Sequence, residues 1–569
     1  MTFPSLTSFR FTRSLALLVM LGLFAPALAK AANNVPSTAN PGRIDQRLSA
    51  PDLETVPETN TPPTVTVPES HSEIPAGAEK VHFQLKGVVV DGATVFSETD
   101  LKPLYQDLIS QNVTLAQMIG VADKITAKYR NAGYILSRAV VPAQSMDSGI
   151  IHIRVVEGYI NKVTLQGSLK DNHVLEKYSH ALEQVRPLTN AALERYLLLA
   201  NDIPGLSVKG ILQRSETPGT ADLAMVAVRK IVSADASVDN RGSKYLGPME
   251  ISFAPSLNDA FGLGEQLGVA YTTSGNRKLN YYAGNGSIGL DDEGTRLAFV
   301  ASNTHTRPGF TLKQFDTIGR ADLYQLQLSH PFIRTREENL QGVFRTDVHN
   351  VENTQLGFIT SNDKMRSARV GLDYQVADNW NGVNTVSGLY SEGFNILGAT
   401  SPGDPNLSRL RGRSDYHKIN LDLQRIQSIA PNTDLVLAGS GQLAFDDLLV
   451  SEQFGVGGST YGRGYDDSEI IGDNGIAMKA ELQYNYHIGY SYADVLQPYG
   501  FFDFGDVSNR NILPAEKKSQ SLASTGVGLR LRFTDNLSGQ VEIAQPLTRD
   551  VGTEQNKDPR YFFGITAHY

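Results

Sequence analysis

Cysteine is absent from the 569 residues and tryptophan occurs once. Without thiols the chain has no disulfides, no thiolate metal sites and no cysteine nucleophile, and an exported protein gains by avoiding stray cross-links in an oxidising compartment. Long apolar runs are also missing. After the ten residues Leu15–Phe24, no stretch approaches the roughly 18 apolar residues of a membrane-spanning helix. No Gly-Lys-Ser/Thr follows the glycines Gly455, Gly457 and Gly458, so they do not make a nucleotide loop. No Gly-x-Ser-x-Gly elbow is present, and the eleven histidines show no zinc pairing. Asp466, Asp467, Glu469 and Asp473 do not match the spacing of a calcium loop and are expected to form a solvated loop. No catalytic site, metal site or cofactor site is expected. A net charge of −9 spread over so long a chain leaves no nucleic-acid footprint.

What is present begins with an export signal. Arg10 and Arg13 precede the short apolar run, and Ala27-Leu28-Ala29 offers small residues for cleavage, so residues 1–29 read as a signal peptide. An exported chain without spanning helices can still cross a membrane as a closed β-barrel, the other fold that satisfies every backbone group in lipid. The 51 glycines and 23 tyrosines suit that fold. Residues 30–80 are linker-like, with eight prolines between Asn33 and Gly77. Within them, Pro41–Leu48 suits two helical turns with Ile44 and Leu48 on one side, and suits a plain tether equally well.

Residues 81–160 and 161–232 carry one pattern twice. In the first copy a strand Phe83–Val88 is expected, then a capping box at Ser97 and Asp100. Leu115, Met118, Ile119, Ala122, Ile125 and Tyr129 form a buried helical stripe that Gly133 ends. Strands Leu136–Pro142 and Ile150–Val156 close the unit. The second copy reads as strand Val163–Gln166, helices Asn172–Val185 and Asn190–Ala200, and strands Val208–Gln213 and Ala221–Val228.

From residue 233 to 569 no helical period persists, and apolar residues alternate with polar ones. Tyr324, Leu326 and Leu328 alternate with Gln325 and Gln327; Ile419, Leu421 and Leu423 alternate with Asn420 and Asp422. A soluble sandwich would show the same alternation. At about 20 residues per strand and turn, these 337 residues suit an antiparallel transmembrane β-barrel of about 16 strands. Near its end, Gly462-Arg463-Gly464-Tyr465 precedes Phe501-Phe502-Asp503-Phe504-Gly505. Strand geometry puts Phe501, Asp503 and Gly505 on one face, and in a membrane wall the aspartate must point inward, where a loop arginine can pair with it.

The run from Tyr129 through Gly133-Tyr134, Pro142 and Gln144 to Val155-Val156-Glu157-Gly158 resembles the POTRA domains of two-partner secretion transporters. The resemblance extends through both modules and the region beyond, including Asp239–Ser243 and Gly262–Leu267. It implies two periplasmic POTRA domains before an outer-membrane barrel. It also implies that Arg463, on the sixth extracellular loop, contacts Asp503 inside the barrel, although Gly462 stands where that family usually has Val or Ile. The C-terminal strand, with Gly564, Ala567 and the terminal Tyr569, is similar to the signal by which such barrels are recognised for insertion by the barrel-assembly machinery; Phe562 departs from the polar residue usual in it. The implied function is passage of one unfolded exoprotein, a β-helical adhesin or cytolysin, through a barrel embedded in outer-membrane lipid. The residues 41–48 would then correspond to a plug helix. An assembly factor for other barrels is the alternative, disfavoured by two modules rather than more, and a passive porin would lack the modules altogether.

Overall fold

In the computed structural model of the chain the alternating segments close into a barrel. The structure describes residues 35–49, 74–167, 172–490, 493–512, 516–534 and 536–569; the expected signal peptide and most of the proline-rich linker lie outside them. The first barrel strand, Val232–Asp239, pairs with Glu250–Asn258 on one side and with the last strand, Arg560–His568, on the other. Every neighbouring pair around the wall is antiparallel. Asn474–Tyr484 and Tyr486–Tyr490 both pair with Ala493–Ser508 and count as one interrupted strand, which gives sixteen strands among the described residues. Closure leaves no free edge, so the ladder satisfies its own backbone groups.

The two faces of the wall decide what solvent it was built for. Tyr324, Leu326, Leu328, Val370, Leu372, Ile419, Leu421, Leu423 and Leu482 all point outward and are exposed. In a soluble sandwich this face would be the core; an apolar belt of this extent on the outside requires lipid. The inward face carries the polar members, among them the fully buried Asp503, while Phe502 points outward. Among the described residues, no helix is long and apolar enough to cross a membrane.

Two small α/β modules precede the barrel. In the first, helix Leu115–Asn131 covers a sheet whose central strand Ile150–Val156 runs parallel to Gly87–Asp91 and antiparallel to Arg138–Val140. The expected single strand Phe83–Val88 is in fact two. His82–Gln84 pairs with Asn112–Thr114, and the chain changes partner at Leu85, whose N–H donates to Gln111 O at 3.0 Å, and Lys86, whose N–H donates to Gly149 O at 2.7 Å. Burial of the Leu85 side chain outweighs continuation of the first pairing. The capping box at Ser97 forms, as does another at Thr114 with Gln117. The second module sets helices His173–Gln184 and Asn190–Asn201 on strands Ile160–Gly167, Leu206–Arg214 and Ala221–Arg229.

The motif residues of the first module build its own scaffold and its junction. Gly133 has φ +90°, and the Tyr134 N–H closes a six-residue ring onto Tyr129 O at 2.9 Å. The Gln144 side chain acts as a spare strand, accepting from His152 N at 2.8 Å and donating to His152 O at 2.7 Å, and also reaches the Pro142 carbonyl at 3.3 Å. Gly158 has no room for a Cβ, which would lie 2.5 Å from Leu136 O. Its carbonyl accepts from Leu188 N at 2.9 Å, and that of Gly133 accepts from Asn190 N at 2.7 Å, so the motif ties one module to the next. The second module in turn grips the near barrel turns: Arg334 forms a two-pronged pair with Asp202 at 2.6 and 2.7 Å, and Asn172 donates to Asp259 at 2.6 Å.

Glu157 ends the strand by collecting donors. Its carboxylate accepts from Thr94 N at 2.7 Å, Val95 N at 3.0 Å and the Tyr129 hydroxyl at 2.7 Å, and from the Thr94 hydroxyl. Burial alone would raise this carboxyl, but the Thr94, Val95 and Tyr129 hydrogen bonds outweigh it and hold its pKa below the usual value. The folded value is thus depressed. Its contribution is present above the unfolded glutamate range, near pH 4.3, and is lost as pH falls through the folded value. Glu157→Gln is expected to remove roughly 1–2 kcal/mol from this module, read as faster proteolysis between residues 81 and 160 at pH 7, with the difference from wild type shrinking below about pH 4.

Candidate functional site: the filled lumen

The segment between strands Thr433–Ala444 and Asn474–Tyr484 folds back into the barrel rather than out of it. Inside, Phe454–Val456 and Ile470–Gly472 pair as a short ribbon around a small core of Val456, Tyr465, Ile470, Val507 and Leu522. Close approach to the wall is bought with missing side chains. A Cβ on Gly505 would sit 2.4 Å from Val456 Cγ1, and one on Gly464 would sit 3.0 Å from both Pro546 N and Ser524 Cβ. The departure at Gly462 has a backbone cause: its φ is +80°, a left-handed conformation that Val or Ile resists, and a Cβ there would meet Leu522 at 2.7 Å.

This loop delivers Arg463, which the wall buries almost completely. Asp503 accepts three bonds from it: the backbone N–H at 2.9 Å, Nε at 3.1 Å and Nη2 at 2.9 Å. The geometry is the bidentate fork of guanidinium and carboxylate. Nη1 donates to Glu481, and the guanidinium lies 3.5 Å over the Phe501 ring. Tyr465 hydrogen-bonds through its hydroxyl to the carbonyls of Ala523 and Arg549, each at 3.2 Å. The structure thus brings together Arg463, Tyr465, Phe501, Asp503 and the glycines of both motifs.

Sequence reading did not find the second ring of this network. Arg530 donates to Glu481 at 2.8 Å and stacks 3.9 Å over Tyr499. Tyr499 donates to Glu542 at 2.9 Å, and Arg241 donates to the same carboxylate at 2.8 Å while lying 4.4 Å over Phe562. The unusual Phe562 therefore faces inward as a platform for a cation. The available signal was alternation itself: Glu481 shares the inward face with Lys479 and Gln483. Of the acidic run expected to be solvated, Asp466 and Asp473 are instead buried, Asp467 and Glu469 are half-buried, and three of the four are paired with arginines. Asp466 accepts from Arg560 at 2.7 Å, Asp467 pairs with Arg47 at 2.6 Å, and Asp473 accepts from Arg409 at 2.6 Å, while Glu469 accepts from Gly552 N at 2.8 Å. Luminal guanidinia need counter-charges once water is displaced, and these carboxylates supply them.

Between helix and tether, the segment near residue 41 is a helix, Pro41–Ser49, and it lies within the lumen. Arg43 donates to Ser468 Oγ at 2.9 Å and to Gln453 O at 2.5 Å, both on the infolded loop. Asp45 accepts from Ser302 at 2.8 Å and Thr304 at 2.9 Å on the wall. Arg47 bridges the two, reaching Glu250 at 2.9 Å as well as Asp467. Gly42 lets the helix touch the wall: a Cβ there would be 2.7 Å from Val351 Cγ2. The helix and the infolded loop thus share the lumen, joined by these polar contacts, while Ile44 and Leu48 pack against Tyr245, Leu246, Leu279 and Leu312.

At the seam, Gly564 lies opposite Asp239 and Ala567 opposite Ala236, and Tyr569 exchanges both backbone bonds with Ala234 at 2.8 and 2.9 Å. The Tyr569 ring is exposed, 5.2 Å from the Lys230 ammonium.

Comparison with known proteins matches this architecture. Residues 223–531 fit the model of the haemolysin secretion/activation protein family ShlB/FhaC/HecB, and residues 83–158 fit the ShlB-type POTRA domain. The heme/hemopexin transporter protein HuxB of Haemophilus influenzae is 23% identical over 476 residues, covering 82% of this chain and 83% of its own. The outer membrane transporter CdiB of Escherichia coli is 25% identical over 446 residues, 75% of this chain and 73% of its own. The solved structure of CdiB from Escherichia coli superimposes with a TM-score of 0.73 at 20% identity, covering 95% of this chain and 98% of that one. The chain belongs to the ShlB/FhaC/HecB family of two-partner secretion transporters, with its barrel in the outer membrane and its POTRA domains in the periplasm.

Proposed function

We propose that this transporter carries one dedicated exoprotein of β-helical adhesin or cytolysin type, unfolded, through its barrel, with no bond-making chemistry of its own. The observation that carries this reading is the occupied lumen: a nine-residue helix and an infolded loop lie in it, and the charged side chains of the helix reach wall and loop through ion pairs and hydrogen bonds beside one small apolar cluster around Ile44. Polar contacts of that kind can be exchanged for water or for the main chain of a passing polypeptide, whereas the apolar core under the loop, around Val456, Ile470, Val507 and Leu522, resists such exchange. The POTRA sheets offer strand edges to an extended segment, main-chain bonds giving affinity and side-chain pockets giving selectivity. Movement needs no nucleotide; folding of the cargo outside makes return unfavourable. The transporter itself reaches the membrane through the barrel-assembly machinery, which reads Gly564, Ala567 and Tyr569 on the last strand.

In this reading the Arg463–Asp503 pair keeps the infolded loop seated while the helix leaves. The helix is the removable part, because its Arg43, Asp45 and Arg47 contacts draw on two different bodies, the wall and the loop.

Removing one partner of so desolvated a pair costs about 3–5 kcal/mol. Arg463→Ala and Asp503→Ala are each expected to cut secretion of the cognate exoprotein by roughly tenfold or more, with the barrel still folded by heat-modifiable gel mobility; normal secretion by both variants would remove the pair from the mechanism. Deleting residues 35–49 is expected to raise single-channel conductance in planar bilayers and to admit bulky antibiotics to cells, and unchanged conductance would show that the helix does not close the pore.

A further inference from the structure

We infer that the outer wall of the barrel holds, at its extracellular rim, a site for the phosphate of an acylated glycolipid such as lipid A, built by Lys278, Arg307 and Arg320. Orientation comes from the modules. Arg334, at one end of strand Ile318–Arg334, pairs with Asp202 of the second module, so the Ile318 end points away from the periplasm. The neighbouring strands Arg296–Thr306 and Leu279–Gly289 pair with it in series, and their Thr306 and Leu279 ends lie on the same side. Toward that rim the outward row changes character in the same order on all three. It runs Tyr282, Asn280 and then Lys278 on one, Ala301, Asn303, His305 and then Arg307 on the next, and Tyr324, Asp322 and Arg320 on the third. Tyr282 and Tyr324 are exposed, and Tyr282 stacks on Tyr271 with ring centroids 4.9 Å apart. Such tyrosines mark the upper edge of the apolar belt. Lys278 and Arg320 each stand four residues beyond a tyrosine, roughly 10 Å farther out along a tilted strand, which is the headgroup layer.

The basic groups are close together and uncommitted. His305 lies opposite Arg320 in register, Arg307 is the next outward position after it, and the Arg307 N–H donates to Lys278 O at 2.8 Å. Arg307 and Arg320 are exposed and Lys278 is half-buried; among the described residues none of the three side chains has a hydrogen-bond or ion-pair partner. Two carboxylates border the cluster, and both are turned to amides. Asp322 accepts from Asn303 Nδ2 at 2.7 Å, and Glu352, opposite Arg320, accepts from Asn362 Nδ2 at 3.2 Å. Farther round the barrel the outward rim carries Glu392 and Asp506, so the positive charge is local. Cations left without counter-ions at the headgroup level complement an anion, and the guanidinium fork matches phosphate. Below them, Gly284 and Ala301 lie opposite each other between Val269 and Tyr324, and a Cβ on Gly284 would meet nothing within 4 Å. The wall is therefore low where an acyl chain descends from the headgroup, which a free phosphate would leave unused.

The full chain in a non-ionic detergent would be titrated with bisphosphorylated lipid A, with the same lipid stripped of its phosphates, and with phosphatidylglycerol, bound lipid being counted by native mass spectrometry. A phosphomonoester carries more charge than the phosphodiester of phosphatidylglycerol, so bisphosphorylated lipid A is expected to bind roughly tenfold more tightly than either other lipid. Arg307→Gln combined with Arg320→Gln should remove that margin, and excess inorganic phosphate should not displace the lipid. Equal binding with and without the phosphates, equal binding of phosphatidylglycerol, displacement by inorganic phosphate, or a margin untouched in the double variant would each overturn the site. Neither arginine side chain holds another residue in place, so the double variant is expected to fold, as heat-modifiable mobility checks. The three lipids on the wild type decide the matter alone if it does not.

Discussion

Every backbone N–H and C=O in the membrane wall must find its partner within the wall, and the rest of the molecule follows from that constraint. It forces Arg560–His568 back onto Val232–Asp239, and closure creates an interior. Alternation then makes the interior polar, because the same period that sends Leu421 and Leu423 to the lipid sends Asn420 and Asp422 inward. A polar interior of this width is not filled by its own side chains, and the chain fills it with a folded-back loop and a helix. Both are held by charges that neutralise one another, Arg463 with Asp503 and Glu481 and Arg47 with Glu250 and Asp467, and Arg241 with Glu542 does the same within the wall itself. Aromatic rings under the guanidinia replace part of the water these cations give up. The luminal network and the outer apolar belt are therefore two consequences of one period-two pattern.

The same logic explains how the modules are joined to the wall. POTRA sheets are soluble and bury apolar cores of their own, around Ile151 and Ile153 in the first and Leu197 and Leu223 in the second. Their contacts with one another and with the barrel turns use backbone hydrogen bonds and ion pairs, including Asn190 to Gly133 and Arg334 to Asp202, and an apolar contact in which Ile135 and Leu136 of the first module pack against the core of the second. Such junctions hold a relative orientation.

Local pattern made much of this legible. The helical stripe from Leu115 to Tyr129, the repeat of the α/β unit and the alternation after residue 233 each depend on neighbours within a few residues, and the elements lie where those periods put them. Arg463 and Asp503 were legible because both motifs carry the glycines that close approach requires. What local pattern did not disclose was contact across long separations. Residues 41–48 suited helix and tether equally because the partners that settle the matter, Glu250, Ser302, Thr304 and Ser468, lie hundreds of residues away. The acidic residues 466–473 looked solvated for the same reason: their cations, Arg47, Arg409 and Arg560, come from three other segments. Phe83–Val88 looked continuous because a change of pairing partner at Leu85 leaves no mark on the period.

The central claim is that the lumen is the conduit and that the helix must vacate it. Because the chain has no cysteine, a single engineered bridge can test this without background. A Cβ at residue 42 lies 2.7 Å from Val351 Cγ2, and since that atom is one bond from Val351 Cβ the two Cβ atoms are at most about 4.2 Å apart, which the roughly 3.5–4.5 Å Cβ separation of a disulfide can accommodate. Secretion of the exoprotein by cells carrying Gly42→Cys with Val351→Cys should stop when the bridge is oxidised and resume on reduction, each single variant secreting throughout. Full secretion with the bridge closed would contradict the account, because the cargo would then be passing by a route that the helix does not block.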